Sequence, residues 1–114
     1  MEFKKISENV KFTDEAVAKV TLIATAQIAL DVYYFKAGQV LGYHRHPEGD
    51  QIFTVISGTG TFFLETDGVE EKVAVEAGDV FFAPKNVWHN LVDGGKGDLV
   101  AQQVTKQPAG MEKR

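Results

Sequence analysis

Gly38-Gln39-Val40-Leu41-Gly42-Tyr43-His44-Arg45-His46-Pro47-Glu48-Gly49-Asp50-Gln51-Ile52-Phe53-Thr54-Val55 holds the pattern on which the fold turns. His44 and His46 alternate around Arg45. In an extended strand alternate side chains share a face, so both imidazoles point one way and Arg45 the other. Pro47 biases His46 toward an extended conformation, so the spacing predicts a strand over Val40–His46. That strand turns at Glu48-Gly49-Asp50 and returns from Gln51. By the same alternation Phe53 and Val55 lie on the face of Gln51.

Outward from this segment the chain keeps the same rhythm. Short apolar runs are broken every eight to twelve residues by Gly, Asp, Asn or Pro, with eleven Gly, eight Phe and three Pro in 114 residues. This is the pattern of an antiparallel sandwich or barrel. Strands are predicted at Lys19–Thr25, Ile28–Lys36, Val40–His46, Gln51–Ser57, Thr61–Thr66, Lys72–Val75, Val80–Ala83, Val87–Val92 and Leu99–Thr105, about nine in all. Helix is scarce, its one expected site being Asp14–Lys19 with Thr13 as N-cap. Residues 1–114 are read as one domain, because the length leaves no room for a second. The tail, residues 106–114, with Pro108 and Gly110, is expected to be loosely packed.

Composition narrows the chemistry. With no Cys there is no disulfide, no thiolate ligand and no Cys nucleophile, so a metal would be held by His and oxygen donors. A net charge of −4 argues against nucleic acid or an anionic membrane as partner. The opening residues, Met1–Glu8, lack the apolar run of a signal peptide, and no stretch approaches about 20 apolar residues. A cytoplasmic protein is expected.

The third histidine, His89, follows a Pro84-Lys85-Asn86 turn in another strand, with Val87 and Leu91 on its own face by alternation. Gly38, five residues, His44-Arg45-His46, four residues, Gln51, six residues and Gly58 form one motif. Gly78, five residues, Pro84-Lys85-Asn86, two residues, His89, three residues and Asp93 form another. Residues 38–58 and 78–93 resemble the two motifs of the cupins, which surround a metal site inside a small β-barrel. The chain departs from the family pattern at Gln51, where Glu is usual, at Asn86, where Gly is usual, and at Asp93, where Asn is usual. Asn86 is a mild exchange, because Asn tolerates the left-handed conformation.

The resemblance implies an all-β, antiparallel jelly-roll β-barrel and one divalent transition metal per chain, with Fe, Mn, Ni, Zn and Cu not distinguished. It points to His44, His46 and His89 as ligands, with Gln51 either a neutral oxygen ligand or a pocket amide that bonds only its neighbours. Glu48 and Asp50 are weaker substitutes, Glu48 because it sits in the turn and Asp50 because its strand parity is wrong. Phe53, Val55, Val87, Leu91 and Trp88 are the pocket candidates, and no Lys or Arg is forced into the pocket. Two functions remain open. One is a metal-dependent enzyme, dioxygenase-like or an isomerase or lyase, acting on a small apolar or aromatic oxygen-bearing molecule. The other is a non-catalytic binding module or sensor. The apolar run Val20–Ala24 suggests an edge strand covered in a homodimer.

Overall fold

A computed structural model describes residues 1–114 as two facing five-stranded antiparallel sheets. The strands are β1 (Ala18–Ala24), β2 (Ile28–Phe35), β3 (His44–Arg45), β4 (Gln51–Ser57), β5 (Thr59–Thr66), β6 (Val69–Glu76), β7 (Val80–Ala83), β8 (Trp88–Asp93), β9 (Leu99–Lys106) and β10 (Glu112–Lys113). One sheet runs β1-β2-β9-β4-β7 and the other β10-β3-β8-β5-β6. The repeated crossing of the chain between the two sheets is a jelly roll. The alternation along each strand sorts the side chains: Phe35, Phe53, Val55, Leu99 and Ala101 of the first sheet meet Phe62, Val75 and Leu91 of the second in one core. A second cluster lies on the outer side of the first sheet, where Leu22, Val32 and Tyr34 are covered by Ile6 and Phe12.

Where expectation and structure differ, a local cause is visible. The predicted helix at Asp14–Lys19 does not form; Thr13 Oγ1 donates to the Ala16 carbonyl and Ala18 already opens β1. The only helical turn is a 3₁₀ turn at Ile6–Glu8. The strand expected over Val40–His46 shrinks to His44–Arg45, because Gly42 takes φ +96° and its N–H goes to Asn90 Oδ1 rather than into a ladder. Of the expected strand, Val40 keeps a single bridge to Val92. β6 begins earlier than expected, since Asp67 and Gly68, both at positive φ, close a tight hairpin in which Thr66 faces Val69. Its charged residues hid it, and an edge strand tolerates them.

Most of residues 106–114 are exposed, yet the tail is anchored. β10 pairs with β3, Ala109 is buried, and the Ala109 carbonyl accepts from the Glu48 N–H. Gly49 makes this docking possible: a Cβ there would sit 2.6 Å from Ala109 Cβ and 2.8 Å from the Lys106 carbonyl oxygen. The two motif regions are tied together by Asp93, whose Oδ1 accepts from the N–H groups of Gly38 and Gly95.

Phe53 is fully buried, stacked on Phe81 at 5.2 Å and tilted against Phe62 at 5.8 Å. Phe53→Ala is expected to lower the unfolding free energy by about 3–5 kcal/mol, read from urea denaturation.

Candidate metal centre

Three histidines meet although they come from two distant segments. His44 on β3 pairs directly with His89 on β8, and His46 follows one turn of the alternation further along. The ring centroids lie 4.3 Å apart for His44 and His89, 5.1 Å for His44 and His46, and 5.8 Å for His46 and His89. One ligating nitrogen from each ring lies within 4.8 Å of the others.

The hydrogen bonds decide which nitrogen that is. His44 Nδ1 lies 2.8 Å from the Gly42 carbonyl, His46 Nδ1 2.7 Å from that of Gly110, and His89 Nδ1 3.1 Å from that of Val87. A carbonyl only accepts, so each Nδ1 carries the proton and each neutral ring keeps its lone pair on Nε2. His46 Nε2 and His89 Nε2 are buried without a hydrogen-bond partner in the protein. Buried polar atoms are rarely left in this state, and two on converging rings are what a metal ion would satisfy.

Electrostatics favours the neutral rings. Burial pushes the His89 imidazole down to about 3, with His44 nearby adding to the effect. Burial likewise lowers His44 and His46, opposed in each case by the backbone carbonyl at Nδ1. Phe53 and Phe62 supply part of that apolar wall, with ring centroids 6.0 and 6.3 Å from His89.

Gln51 lies on β4, in the opposite sheet, and is 1% exposed. Its Nε2 donates to Gln103 Oε1 at 2.7 Å and to Thr105 Oγ1 at 2.9 Å, while its Oε1 has no partner in the protein. Three imidazole nitrogens suit a borderline divalent ion, and a neutral amide oxygen would suit it as well. Asp50 is exposed and accepts from the Lys85 N–H, and Glu48 is exposed, so neither approaches the centre.

The other pocket candidates divide. Phe53, Val55 and Leu91 face inward and are buried. Trp88 faces the other way, with the Arg45 guanidinium 4.5 Å from its ring centre and paired to Glu112. Val87, expected on the inner face, precedes β8 and shares an outer groove with Trp88 and Arg45; its carbonyl, not its side chain, serves the site. An open pocket of about 350 Å³ leads to His44 and His46 past Tyr33, Leu41, Met111, Lys19, Lys113 and Arg114. The expectation of a wall free of cations is therefore corrected: the docked tail brings two of them.

The family now follows from sequence as well as geometry. Residues 31–102 match the model of the Cupin domain. The chain belongs to the cupin family. A protein of Aquifex aeolicus (strain VF5) without assigned function is 34% identical over 91 residues, which are 77% of this cupin and 70% of that protein. A double-stranded β-helix protein from Klebsiella pneumoniae superposes with a TM-score of 0.89 at 22% identity, covering 99% of this chain and 96% of the other. The oxalate decarboxylase of Lactobacillus farciminis superposes with a TM-score of 0.79 at 17% identity, over 94% of this chain and 34% of its own. At these identities the two structures speak to the fold.

Asn86 has φ +62°, the conformation that the usual Gly would take. Gly110, Gln103, Thr105, Asp31 and Lys19 were not among the expected site residues. For Gln103 and Thr105 a signal exists: along Leu99–Lys106 they occupy the inward register of Leu99 and Ala101, where apolar residues are the norm.

Two outcomes are expected. Removing residues 109–114 takes away the carbonyl that orients His46, and metal affinity should fall about 10- to 100-fold in titration calorimetry. In the metal-free protein, between about pH 6.5 and pH 3 the unfolded chain binds more histidine protons than the folded one, so stability should fall as pH drops through that window. Melting temperatures across pH 3–8 check this, with the slope fading only above about pH 7.5, where the histidines of the unfolded chain are neutral as well.

Proposed function

We propose that this cupin is a metal-dependent enzyme, of dioxygenase or isomerase/lyase type, which holds one divalent transition metal on His44, His46, His89 and the Gln51 carbonyl. The observation that supports this reading is the convergence of three imidazoles, each with its Nδ1 on a backbone carbonyl and a ligating nitrogen within 4.8 Å of the others, two of them lining an open pocket. A bound ion supplies Lewis acidity and coordination positions open toward the pocket.

The chain's own residues narrow the substrate. Three neutral imidazoles and an amide leave the charge of a divalent ion undiminished, which favours an anionic or enolisable oxygen ligand. Lys19 and Lys113 at the mouth act in the same sense, and both weigh electrostatically on His44. Tyr33, Leu41 and Met111 offer apolar surface to the rest of the molecule. An amide takes no proton at neutral pH, so Gln51 is no general base and the substrate must arrive ionised or acidified on binding. That same lack of a base favours the second reading, a binding module or sensor without turnover. Oxygen uptake and product analysis by mass spectrometry, on metal-loaded protein presented with enols, catechols and diketones, separate them: oxygen consumption or a new product with any of these supports the enzyme, and tight binding with neither supports the module.

We also propose a cytoplasmic homodimer. The outer face of the first sheet carries Leu30, Val104, Ile52 and Phe82 in one row, in register across β2, β9, β4 and β7, with Ile52 and Phe82 about half exposed. Together with the β1 edge, this row gives a second copy apolar area to cover. Light scattering should give twice the chain mass, and a monomer mass at all concentrations would remove the dimer.

Gln51 separates ligand from bystander. Gln51→Glu should raise metal affinity roughly tenfold, ~1.4 kcal/mol, and Gln51→Ala should lower it by a similar factor in titration calorimetry. Equal affinities in all three proteins would take Gln51 out of the ligand set.

A further inference from the structure

A buried carboxylate stands behind the centre with no part yet in its chemistry. Asp31 lies on β2, faces inward and is 5% exposed. Its Oδ1 accepts from Thr21 Oγ1 at 2.5 Å and its Oδ2 from Gln103 Nε2 at 2.9 Å. Gln103 sits directly opposite Asp31 across the β2–β9 ladder, and its Oε1 accepts from Gln51 Nε2. Thr105, opposite Gln51 across the β4–β9 ladder, accepts the second amide proton.

This row has a direction. A carboxylate is an acceptor only, so Gln103 must turn its NH₂ to Asp31 and its carbonyl away. Gln51 must then turn its own NH₂ toward that carbonyl, and its Oε1 becomes the free end. Without an acceptor-only group at the far end, both amides could reverse together and present Gln51 NH₂ instead, a donor useless to a metal. Gln103, Thr105 and Asp31 also line a recess of about 220 Å³ shared with His46, where the charge of Asp31 opposes the downward shift of the ring.

We propose that Asp31 is a positioning residue which, through Gln103, holds the Gln51 carbonyl in its metal-facing orientation and supplies from outside the donor set the negative charge that a neutral Gln51 does not bring. The proposal rests on the metal-centre reading above. It relocates one charge: the carboxylate stands two hydrogen bonds behind the ligand rather than on the ion. Hydrogen bonds to a carboxylate polarise the amides in sequence, which makes the terminal carbonyl a better donor.

The test has a metal arm and a metal-free arm. In Ni(II) titration calorimetry, Asp31→Asn and Gln103→Met should each lower affinity about 10- to 100-fold, and in a Gln51→Ala background Asp31→Asn should change it less than about threefold. An unchanged affinity in the single variants, or the same loss in both backgrounds, overturns the proposal. In the metal-free arm, Gln51→Glu forces Gln103 to reverse its amide and set its carbonyl against Asp31, so its melting temperature should fall by several degrees. Adding Asp31→Asn gives that carbonyl a donor and should restore the melting temperature. Additive losses in the double variant would overturn the directed row even if metal binds. No uptake of Ni, Zn, Mn, Fe or Cu by the wild type would instead overturn the metal reading, while restoration in the metal-free arm would still support the amide direction.

Discussion

An imidazole presents a lone pair at one nitrogen only if the proton is held at the other, and the candidate centre depends on three backbone carbonyls that hold it. Two of them are local: Gly42 and Val87 lie two residues before His44 and His89. The third, Gly110, lies 64 residues from His46. The tail is thereby part of the site. Its docking needs the bare Cα of Gly49, and Gly110 itself takes φ +69°, a conformation that a side chain resists.

Burial then does for charge what the carbonyls do for geometry. A protonated His89 ring set against Phe53 and Phe62 would lose hydration, so it stays neutral well below the ordinary histidine range, and burial lowers His44 and His46 in the same direction. Of the five buried polar side-chain atoms without a partner, two are the His46 and His89 Nε2 atoms of the cluster and a third is Gln51 Oε1. Isolated orphans are defects of packing. Three acceptor atoms on residues whose other polar atoms are all bonded are the observation on which the proposed donor set rests.

The same sandwich therefore carries two interiors. At one end Phe53, Phe62, Leu91 and Leu99 make an ordinary apolar core. At the other the inward register of β2, β4 and β9 turns polar, with Asp31, Gln51, Gln103 and Thr105 linked by hydrogen bonds. A polar row inside a sheet is tolerable only when its members satisfy one another, and here the satisfied ends face the sheet while the spare acceptor does not. Outside, Lys19, Lys113 and Arg114 ring the pocket of a chain whose net charge is −4, so the local field at the mouth opposes the global one.

Strand existence, the in-and-out parity of Gln51, Phe53 and Val55, and the outward turn of Arg45 were legible in the sequence, because period-two alternation and turn residues are local properties. The three histidines were legible as a set only through the resemblance of the two motifs to those of the cupins, since strand spacing by itself joined His44 to His46 but not to His89. The ends of elements were less so: Gly42 stopped β3 short through a backbone conformation that no periodicity reports, and the charged strand β6 hid behind its own exposure. What only tertiary structure decided were the long-range partners. Trp88 left the pocket for Arg45, Gly110 came to His46, and the tail delivered Lys113 and Arg114 to the mouth, because each of these depends on which strands become neighbours. Asp31 and Gln103 stood in plain view as polar residues in an inward register. Their meaning required the β2–β9–β4 order, which sets an acceptor-only carboxylate two amides away from the imidazoles.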